Sequence, residues 1–600
     1  MSVFGNFTDS HWRCGRRHRC LALSLFISNL LVSTPISIAE TVWDQALTVE
    51  APLNIEWVGD LEFDGVRIKK LRYTGSVWKA EPQRVYALYA HPEGDGPFPA
   101  ILQIHGGGQT CYPSNVAFFV KHGYACLSFD WSGPRDNRPE SEITMWHQDF
   151  RGEYMDPEDH EPGQNFIHHA VLAAVRGIDI LCQRPEVEKE NIGVQGVSWG
   201  GYLTWLVNGL EPRLKAAVPV YGIGELEKQW SGIGQSLRNR SEAFQAYWKT
   251  NYDPASFADN QHGPVLFLNA TNDFFGQLDE CEARLKQVQV PHRRSYGANR
   301  MHSLDPESVN AAMAWFDAHL KDGGEFPEAP ILEMGVDSKG VPVATLKVDE
   351  SRPVESVRVD FARGPFHPLL KGWLSSQADR TEEGVWRVEV PGVDSAEPLS
   401  LIPQVIYEGD ALLSGEVVNL VPAQEFPTAR ATQLTSDTLS DWDNGPSGWI
   451  LQRGTDFTHA DNTRLELGEV EGHQALVYRS ESPAGSIRLV TRVFADSARN
   501  KGNMRSLVLW THDIEGITLK TNWFLRQPGA LTHKASAKVG KGWVKHVFPL
   551  SELIRIEEET DQSPEGSKET LENWNDVHSL ELTAQTVQEG LPAIGWMGWE

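Results

Sequence analysis

Two kinds of apolar run alternate along residues 55 to 322, and this alternation limits the fold more than any other feature. YACLSFD, NIGVQGV, AAVPVYG and PVLFLNA are almost continuously apolar, as buried strands are. Apolar residues at helical spacing predict helices near 164–183, 277–288 and 306–320, whereas the 40 residues after Gly222 lack strand character and are expected to cap a pocket. Buried strands alternating with helices predict a doubly wound α/β sheet.

The pattern changes after about Pro327, where short runs alternate apolar and polar residues. VPVATLKVD, VESVRVDFA, VWRVEVPG and SGEVVNLVP predict a small, immunoglobulin-like β-sandwich over 328–424. A linker is expected at 425–431, because QEFPTARATQLTS is rich in Pro, Thr, Ala and Gln, and a second β-rich unit follows over 432–600. Since 600 residues exceed what one core supports, an α/β domain at 40–327 followed by two β-sandwich domains is expected.

The N-terminus has the pattern of a secretory signal peptide over residues 1–39. Four arginines precede the apolar run LALSLFISNLLV, and STPISIA supplies the small residues of a cleavage site. A run of about 12 residues is short for a membrane span, which needs about 20. The mature protein is therefore expected to be secreted or periplasmic, with no membrane association after cleavage.

Charge and cysteine content restrict the partners. The chain has 54 Lys and Arg against 81 Asp and Glu, a net charge of −27, which argues against binding nucleic acid. Cys111, Cys126, Cys182 and Cys281 follow the signal segment without a C-x-x-C motif, so one disulfide of unknown pairing is allowed. The sequence leaves the oligomeric state open.

Ser198 lies in the pattern G-x-S-x-G, at the junction between a buried strand and the helix WGGYLTWLVNGL. By itself this motif is weak, because a chain so rich in glycine matches it by chance about 0.3 times. The strand–turn–helix context makes it a strong signal, since small flanking residues allow the sharp turn that exposes a nucleophilic serine. Ser198 is therefore predicted to be a nucleophile.

A serine nucleophile needs a base and an acid, which in such sheets follow it in the order acid, then histidine. Asp273 comes directly after the strand PVLFLNA, and His302 lies in the loop after HRRSYGA. Both positions are at the carboxyl ends of strands, where ligands bind in open α/β sheets. The other interpretation of each residue is structural, as a turn aspartate and as a loop residue before a helix.

An oxyanion site is predicted at HGGGQT, which follows another strand. Glycines let backbone N–H groups approach a developing oxyanion, and such donors contribute about 3–4 kcal/mol each. Gly107 is the first candidate donor and the amide of Trp199 the second. A phosphate-binding loop is the alternative, but the Gly-Lys-Ser/Thr ending that it needs is missing.

These motifs together carry a resemblance. HGGG, PEVEKENIGVQGVSWGGY, NATNDFF and NRMH resemble the α/β-hydrolases grouped around acetyl xylan esterases and dienelactone hydrolases, over about residues 55–322. The resemblance implies Ser198, Asp273 and His302 as a catalytic triad, with the Gly107 and Trp199 amides as oxyanion hole. One departure is that dienelactone hydrolase proper uses a cysteine nucleophile, so Ser198 favours the esterase type. A second departure is the insertion WHQDFRGEYMDPEDHEPG, because of which the resemblance does not assign the substrate of these families to this chain.

The C-terminal unit, from WVKHVFPLSEL to PAIGWMGWE, resembles galactose-binding-like jelly rolls, which often bind sugars. Tryptophans that are exposed there would stack on sugar rings, although core packing is the expected role of most of them. The tryptophans of this unit are Trp442, Trp449, Trp510, Trp523, Trp543, Trp574, Trp596 and Trp599.

No cofactor is expected. His168 and His169 are adjacent on a helix and diverge by about 100°, and H-E-x-x-H does not occur, so no zinc site is indicated. The acidic loop DPEDHEP at 156–162 is expected to be solvated, with calcium binding as the alternative. The sequence therefore leaves open whether the protein binds a metal ion.

The sequence thus favours a secreted serine carboxylesterase that acts on an esterified polysaccharide or oligosaccharide. A peptidase of the prolyl-oligopeptidase type is the first alternative, because it shares this catalytic fold, although such enzymes usually carry a large propeller. A non-catalytic carbohydrate-binding protein on a hydrolase scaffold is the second. The linker composition also predicts that a chain ending near Ala423 folds and hydrolyses a small ester.

Overall fold

The computed structural model describes residues 41–48, 51–133, 138–150, 154–155, 161–229, 232–321, 323–365 and 367–432. Beyond these it describes residues 438–599, except 441–447, 452–463, 480–485, 497–505, 523–531, 539–540, 557–569, 573, 575–576 and 587–591. The predicted signal peptide, residues 156–160 of the acidic loop, Trp442 and Trp523 lie outside the described residues.

The α/β body is built on nine strands in the order β1-β2-β3-β5-β4-β6-β7-β8-β9. Strands β4 to β9 are mutually parallel, and β1 to β3 form an antiparallel extension at one edge. The predicted α/β fold is confirmed. The strands are β1 (Glu56–Phe63), β2 (Val66–Trp78), β3 (Glu81–Ala90), β4 (Phe98–Ile104), β5 (Ala125–Phe129), β6 (Val187–Val197), β7 (Leu214–Val220), β8 (Val265–Ala270) and β9 (His292–Gly297).

Eight helices of this body are found in the described residues. They are α1 (Val42–Ala46), α2 (Pro113–Lys121), α3 (Phe166–Gln183), α4 (Trp199–Leu210), α5 (Gly232–Arg238), α6 (Glu242–Asn251), α7 (Leu278–Leu285) and α8 (Pro306–Leu320). Helices α3 and α4 pack against each other, while Phe119 of α2 meets Phe316 of α8 edge to face. Helix α3 begins where the Asn165 side chain accepts a hydrogen bond from His168 N–H.

Helix α3 is also the one described helix that is long and apolar enough to cross a membrane, although 72% of its apolar window is buried inside the protein. Its burial against β2 and α4 identifies it as a core helix of the sheet.

The segment between β7 and β8 contains α5 and α6 and forms no strand in its described residues. Trp248 of α6 is buried and its indole N–H donates to the Tyr202 hydroxyl at 3.2 Å. Trp43 of α1 donates to the Asn251 carbonyl at 2.6 Å, which ties the start of the described chain to the same segment.

The first β-rich region forms two antiparallel sheets. One has the order β10-β11-β15-β14, and the other, β17-β16-β12-β13 with β18, continues the sheet of the α/β body because Ser414 of β17 pairs with Arg294 of β9. The strands are β10 (Ile331–Val336), β11 (Pro342–Lys347), β12 (Val354–Arg363), β13 (Leu374–Gln377), β14 (Asp379–Glu382), β15 (Val385–Glu389), β16 (Leu399–Tyr407), β17 (Ala411–Ser414) and β18 (Val418–Leu420).

Two details of this region differ from the sequence pattern. Strand β16 did not stand out as an alternating strand, because all nine of its residues are buried and most of them on either face are apolar. The run SGEVVNLVP is not one strand: β17 ends at Ser414, and a Cβ on Gly415 would lie 2.1 Å from the Pro330 carbonyl oxygen. The short helix α9 (Pro422–Glu425) follows β18.

The C-terminal region forms two further sheets, β21-β22-β30-β24-β27 with β19, and β20-β23-β29-β25-β26-β28. All the recorded strand pairs are antiparallel, as in a β-sandwich, while the jelly-roll connectivity stays a prediction. The strands are β19 (Thr438–Ser440), β20 (Trp449–Leu451), β21 (Arg464–Val470), β22 (His473–Arg479), β23 (Ser486–Thr491), β24 (Ser506–His512), β25 (Ile514–Thr521), β26 (Thr532–Lys538), β27 (Trp543–Pro549), β28 (Ile554–Ile556), β29 (Leu580–Thr586) and β30 (Ala593–Trp599).

The described tryptophans of this region divide into two groups. Trp449, Trp574 and Trp599 belong to the core between the two sheets. Trp510 is 36% exposed, and Trp543 and Trp596 are half-buried. The expectation of core packing therefore holds for three of the six tryptophans that the structure describes.

The four cysteines that follow the signal segment are free thiols. Cys111, Cys126 and Cys281 are buried, and burial raises the pKa of each thiol, so these side chains act as small apolar residues of the core.

Candidate active site

Ser198 occupies a strained turn between β6 and α4. Its backbone lies at φ 60° and ψ −121°, which bulky residues avoid, and its side chain remains partly exposed. The turn needs the neighbouring glycines, because a Cβ on Gly196 would lie 2.2 Å from the Gly200 carbonyl, and one on Gly200 would lie 2.2 Å from the Ile104 carbonyl. This geometry raises the serine hydroxyl above the carboxyl end of the sheet.

The structure brings Ser198, His302 and Asp273 into one hydrogen-bonded chain. Ser198 Oγ donates to His302 Nε2 at 2.7 Å, and His302 Nδ1–H donates to Asp273 Oδ2 at 2.6 Å. The carboxyl group is fully buried, whereas 15% of the histidine side chain is exposed. A neutral imidazole in this tautomer is able to accept the serine proton, and the carboxylate stabilises the cation that results.

The imidazole of His302 is held between two aromatic rings. Tyr221 stacks on it with ring centroids 4.4 Å apart, and Phe274 lies 4.7 Å away on a tilted plane. Burial raises the pKa of the Tyr221 phenol well above its usual value, with the Asp273 carboxylate adding to the effect, so this ring stays neutral. Asp273 is fixed in turn by the backbone N–H of Phe275, which donates to its Oδ1 at 2.7 Å.

The glycine loop after β4 is locked in place by His105 and Gln109. His105 Nδ1–H donates to the Gly106 carbonyl at 2.8 Å, while its Nε2 accepts from Trp131 N–H at 3.1 Å. Gly106 N–H donates to Gln109 Oε1 at 2.9 Å and is therefore occupied. The N–H groups of Gly107 and Trp199 have no hydrogen-bond acceptor among the described residues, which favours these two as oxyanion donors.

An aromatic wall stands beside this loop. Tyr154 stacks on Trp199 with centroids 4.9 Å apart, and Trp131 lies 5.7 Å from Tyr154. A Cβ on Gly107 would lie 2.4 Å from Trp199 Cδ1, so only glycine fits between loop and wall. No sequence pattern indicated a role for Tyr154, because it lies in a long, mostly polar insertion without helical or strand periodicity.

Two asparagines that the sequence did not single out connect the loops of Asp273 and His302. Asn272 N–H donates to the Arg300 carbonyl at 3.0 Å, and Asn299 N–H donates to Thr271 Oγ1 at 2.8 Å. Asn299 has a left-handed φ of 59°, a conformation that asparagine tolerates better than most residues. Asn272 lies within the quoted motif NATNDFF, and Asn299 is the first residue of NRMH. A sequence motif does not show which groups form hydrogen bonds between two loops.

His168 and His169 are core residues of α3. His168 stacks on Trp43 with centroids 4.9 Å apart, and His169 stacks on Phe150 at 4.1 Å. Burial lowers the pKa of His168 to about 4 and that of His169 well below its usual value, so both are neutral at pH 7. Among the described residues, no group of three or more His, Cys, Asp or Glu side chains is arranged to hold a metal ion.

Comparison with known proteins places residues 39–228 in a match to the acetyl xylan esterase family model and residues 156–311 in a match to the dienelactone hydrolase family model. Ser198 lies in both matches, and Asp273 and His302 lie in the second. The two matches together cover the α/β body from α1 into α8.

Relatives of known name match the same part of the chain. Acetyl esterase Axe7A of Xylanibacter ruminicola is 26% identical over 201 residues, which cover 32% of this chain and 46% of that protein. The uncharacterized peptidase YuxL of Bacillus subtilis is 26% identical over 259 residues, covering 38% of this chain and 36% of that protein. The chain thus spans less than half the length of these relatives.

Among solved structures, an acetyl xylan esterase from Paenibacillus sp. R4 is 23% identical with a TM-score of 0.39. The superposition covers 45% of this chain and 90% of that structure.

Proposed function

We propose that this protein, whose residues 39–311 belong to the α/β-hydrolases of the acetyl xylan esterase and dienelactone hydrolase group, is a serine carboxylesterase. Its proposed substrate is an esterified polysaccharide or oligosaccharide, and the proposed acyl group is acetyl. The proposed location, secreted or periplasmic, follows from the N-terminal pattern alone.

The proposed reaction is acyl transfer through an acyl-enzyme. Ser198 Oγ attacks the ester carbonyl carbon while His302 Nε2 takes the hydroxyl proton, and Asp273 stabilises the imidazolium. The oxyanion accepts hydrogen bonds from the Gly107 and Trp199 amides. Collapse of the tetrahedral intermediate breaks the bond to the alkoxide, which takes the proton from His302. Water, activated by the same histidine, then releases the acid and restores Ser198.

One observation carries this proposal: the continuous hydrogen bonds of 2.7 and 2.6 Å from Ser198 through His302 to the buried Asp273. A serine that served only as a small turn residue would not need a base and a buried acid aligned behind it. The carbohydrate part of the proposal is supported by the acetyl xylan esterase family match.

The first test is replacement of the nucleophile and base. Ser198→Ala and His302→Gln are each expected to lower kcat on an aryl acetate by 10⁴-fold or more, because triad members act as a unit. His292→Gln is the matched control, since His292 Nδ1 bonds the Val290 carbonyl at the start of β9 instead of the serine. A folded Ser198→Ala protein that keeps a tenth of the wild-type rate would remove Ser198 from the mechanism.

The second test separates the alternatives. Acetate release from acetylated polysaccharides is measured beside hydrolysis of aryl esters and of proline-containing peptides, because one relative is named as a peptidase. Faster peptide cleavage than ester cleavage favours the peptidase alternative. Binding of polysaccharide without any turnover favours a non-catalytic protein on a hydrolase scaffold.

A further inference from the structure

Arg492 projects from the C-terminal region into the two regions that precede it. It follows β23, and its side chain is fully buried. Nε–H donates to the carbonyl of Asn299 at 3.2 Å, and an Nη1–H donates to the carbonyl of Leu369 at 3.1 Å. These acceptors belong to the α/β body and to the first β-rich region, so one guanidinium joins three parts of the chain.

The first acceptor lies in the loop that carries His302. Asn299 is three residues before the histidine, and its side chain makes two hydrogen bonds with the backbone of Trp373, Nδ2 to the carbonyl at 2.7 Å and Oδ1 from the N–H at 2.8 Å. Its own N–H is held by Thr271, next to the loop of Asp273. Arg492 occupies the remaining polar group of this residue, the carbonyl, so each polar group of Asn299 has a partner.

The second acceptor lies behind the loop that carries Asp273. Asn272 Nδ2 donates to the carbonyls of Leu369 at 3.2 Å and Lys371 at 2.8 Å. The carbonyl of Leu369 therefore receives hydrogen bonds from both Asn272 and Arg492. Arg492 thus bonds the loop of His302 directly, through the Asn299 carbonyl, and shares the Leu369 carbonyl with Asn272, the neighbour of Asp273.

A guanidinium in this position is expensive in free energy. No carboxylate among the described residues forms an ion pair with Arg492, and its Nη2 has no hydrogen-bond partner among them. Burial lowers the pKa of Arg492 to about 10, so the group stays charged at pH 7 without a counter-ion. A buried charge without a counter-ion adds little net stability and requires one geometry, which suits a role in positioning.

We infer that Arg492 is a positioning residue for the esterase, through which the C-terminal region fixes the loop that carries His302. Hydrolysis of even a small soluble ester then depends on the C-terminal region, although that region supplies no reacting group. This inference rests on the proposed function.

The test uses the full chain with Arg492→Met and Arg492→Lys, assayed on 4-nitrophenyl acetate. Arg492→Met is expected to lower kcat about 10- to 100-fold with KM nearly unchanged, because a small displacement of the base affects the transition state more than binding. Arg492→Lys keeps a cation that reaches one carbonyl and is expected to recover part of the loss. The low-field proton resonance of the His302 Nδ1–H···Asp273 hydrogen bond is expected to shift or broaden in Arg492→Met.

Arg488→Met is the control for a damaged C-terminal region. Arg488 lies on β23, four residues before Arg492, and pairs with Glu581 at 2.7 Å inside that region, so its loss is expected to lower stability and leave kcat and the resonance unchanged. Wild-type kcat, KM and resonance in Arg492→Met would overturn the inference. A wild-type protein that hydrolyses no ester would refute the proposed function instead, and the resonance would still report whether Arg492 positions His302.

Discussion

The two β-rich regions that follow the α/β body are attached to it in different ways. The first, residues 331–420, extends the central sheet through the pairing of β17 with β9, and its buried residues belong to the same hydrophobic core as those of the α/β body. The C-terminal region has a core of its own. It meets the rest of the chain through buried charged groups, Arg492 and the bidentate pair of Arg363 with Asp496.

The two kinds of attachment have different effects: an apolar core contributes to the free energy of unfolding, whereas buried charges fix one relative orientation of the groups that they join. A shared apolar core contributes free energy in proportion to the area buried and depends little on orientation, so the first β-rich region and the α/β body are expected to unfold together. Buried charges contribute little net stability and require one geometry. A polar junction is therefore suited to fixing the angle of a loop, which is the role inferred for Arg492.

The largest expected effect comes from breaking the buried ion pair. Asp496→Asn leaves the Arg363 guanidinium, 3% exposed, without its carboxylate. The substitution is expected to lower the free energy of unfolding of the C-terminal region by about 3–5 kcal/mol. The double variant Arg363→Met/Asp496→Leu removes both charges and is expected to recover most of the loss. Calorimetry of the wild type, the single variant and the double variant measures these differences. An Asp496→Asn protein as stable as the wild type would show that this ion pair does not hold the C-terminal region in place.

The next test places one substitution in each core. Leu401→Ala and Leu582→Ala both truncate a fully buried leucine and are expected to cost about 2–5 kcal/mol. The first is expected to lower the temperature at which activity on an aryl acetate is lost irreversibly, together with the main calorimetric transition. The second is expected to lower a separate transition of the C-terminal region. Loss of activity at the same temperature in both variants would show that the two cores are not independent.

Acid is expected to destabilise the α/β body through a buried histidine. His168 has its pKa lowered to about 4, so it gives stability that is present above the unfolded-state pKa near 6.5 and is lost as pH falls toward 4, about 3 kcal/mol in all. Burial raises the pKa of Asp253 to about 6, and the folded state therefore gains protons there and offsets part of this loss.

The variant His168→Phe keeps the stacking on Trp43 and removes the titration. The difference in unfolding free energy between pH 7 and pH 4 is expected to shrink by up to about 3 kcal/mol relative to wild type. Denaturant titrations at the two pH values measure it, and an unchanged difference would exclude His168 as a source of acid sensitivity.

The smallest expected effect on stability belongs to Trp510→Ala. This side chain is 36% exposed, so only part of its apolar area is buried and its loss is expected to cost about 1–2 kcal/mol. If the C-terminal region binds glycan through it, hydrolysis of insoluble acetylated polysaccharide falls severalfold while hydrolysis of aryl acetate does not change. Leu467→Ala, which removes another exposed apolar side chain of the same sheet, is the control. Equal activity of both variants on the polymer would leave the glycan-binding hypothesis without support.

Local patterns in the sequence predicted much of the α/β body. The strand–turn–helix around Ser198 and the positions of Asp273 and His302 after strands were readable because the carboxyl ends of parallel strands share one sheet edge. The helix predicted near 164–183 is found at Phe166–Gln183 for the same kind of reason, an apolar stripe at helical spacing.

Contacts between distant parts of the chain could not be predicted in this way. Arg492 and Asn299 are 193 residues apart, and neither lies in a pattern that indicates a partner. The composition around 425–431 predicted an independent C-terminal unit, and hence an active chain ending near Ala423, but composition describes a linker and not the surfaces that meet on either side of it. The contacts of Arg492 now favour reduced activity in such a chain.

The continuity of the sheet also bears on how the protein avoids self-association. Without the first β-rich region, β9 would be an open edge strand, ready to pair with another chain. Instead Tyr296 N–H donates to Ser414 Oγ at 2.8 Å, and the Tyr296 carbonyl accepts from Gln404 Nε2 at 2.9 Å. Side chains thus occupy peptide groups that would otherwise invite a second molecule, so this region guards the α/β body against edge-to-edge aggregation as well as extending its core.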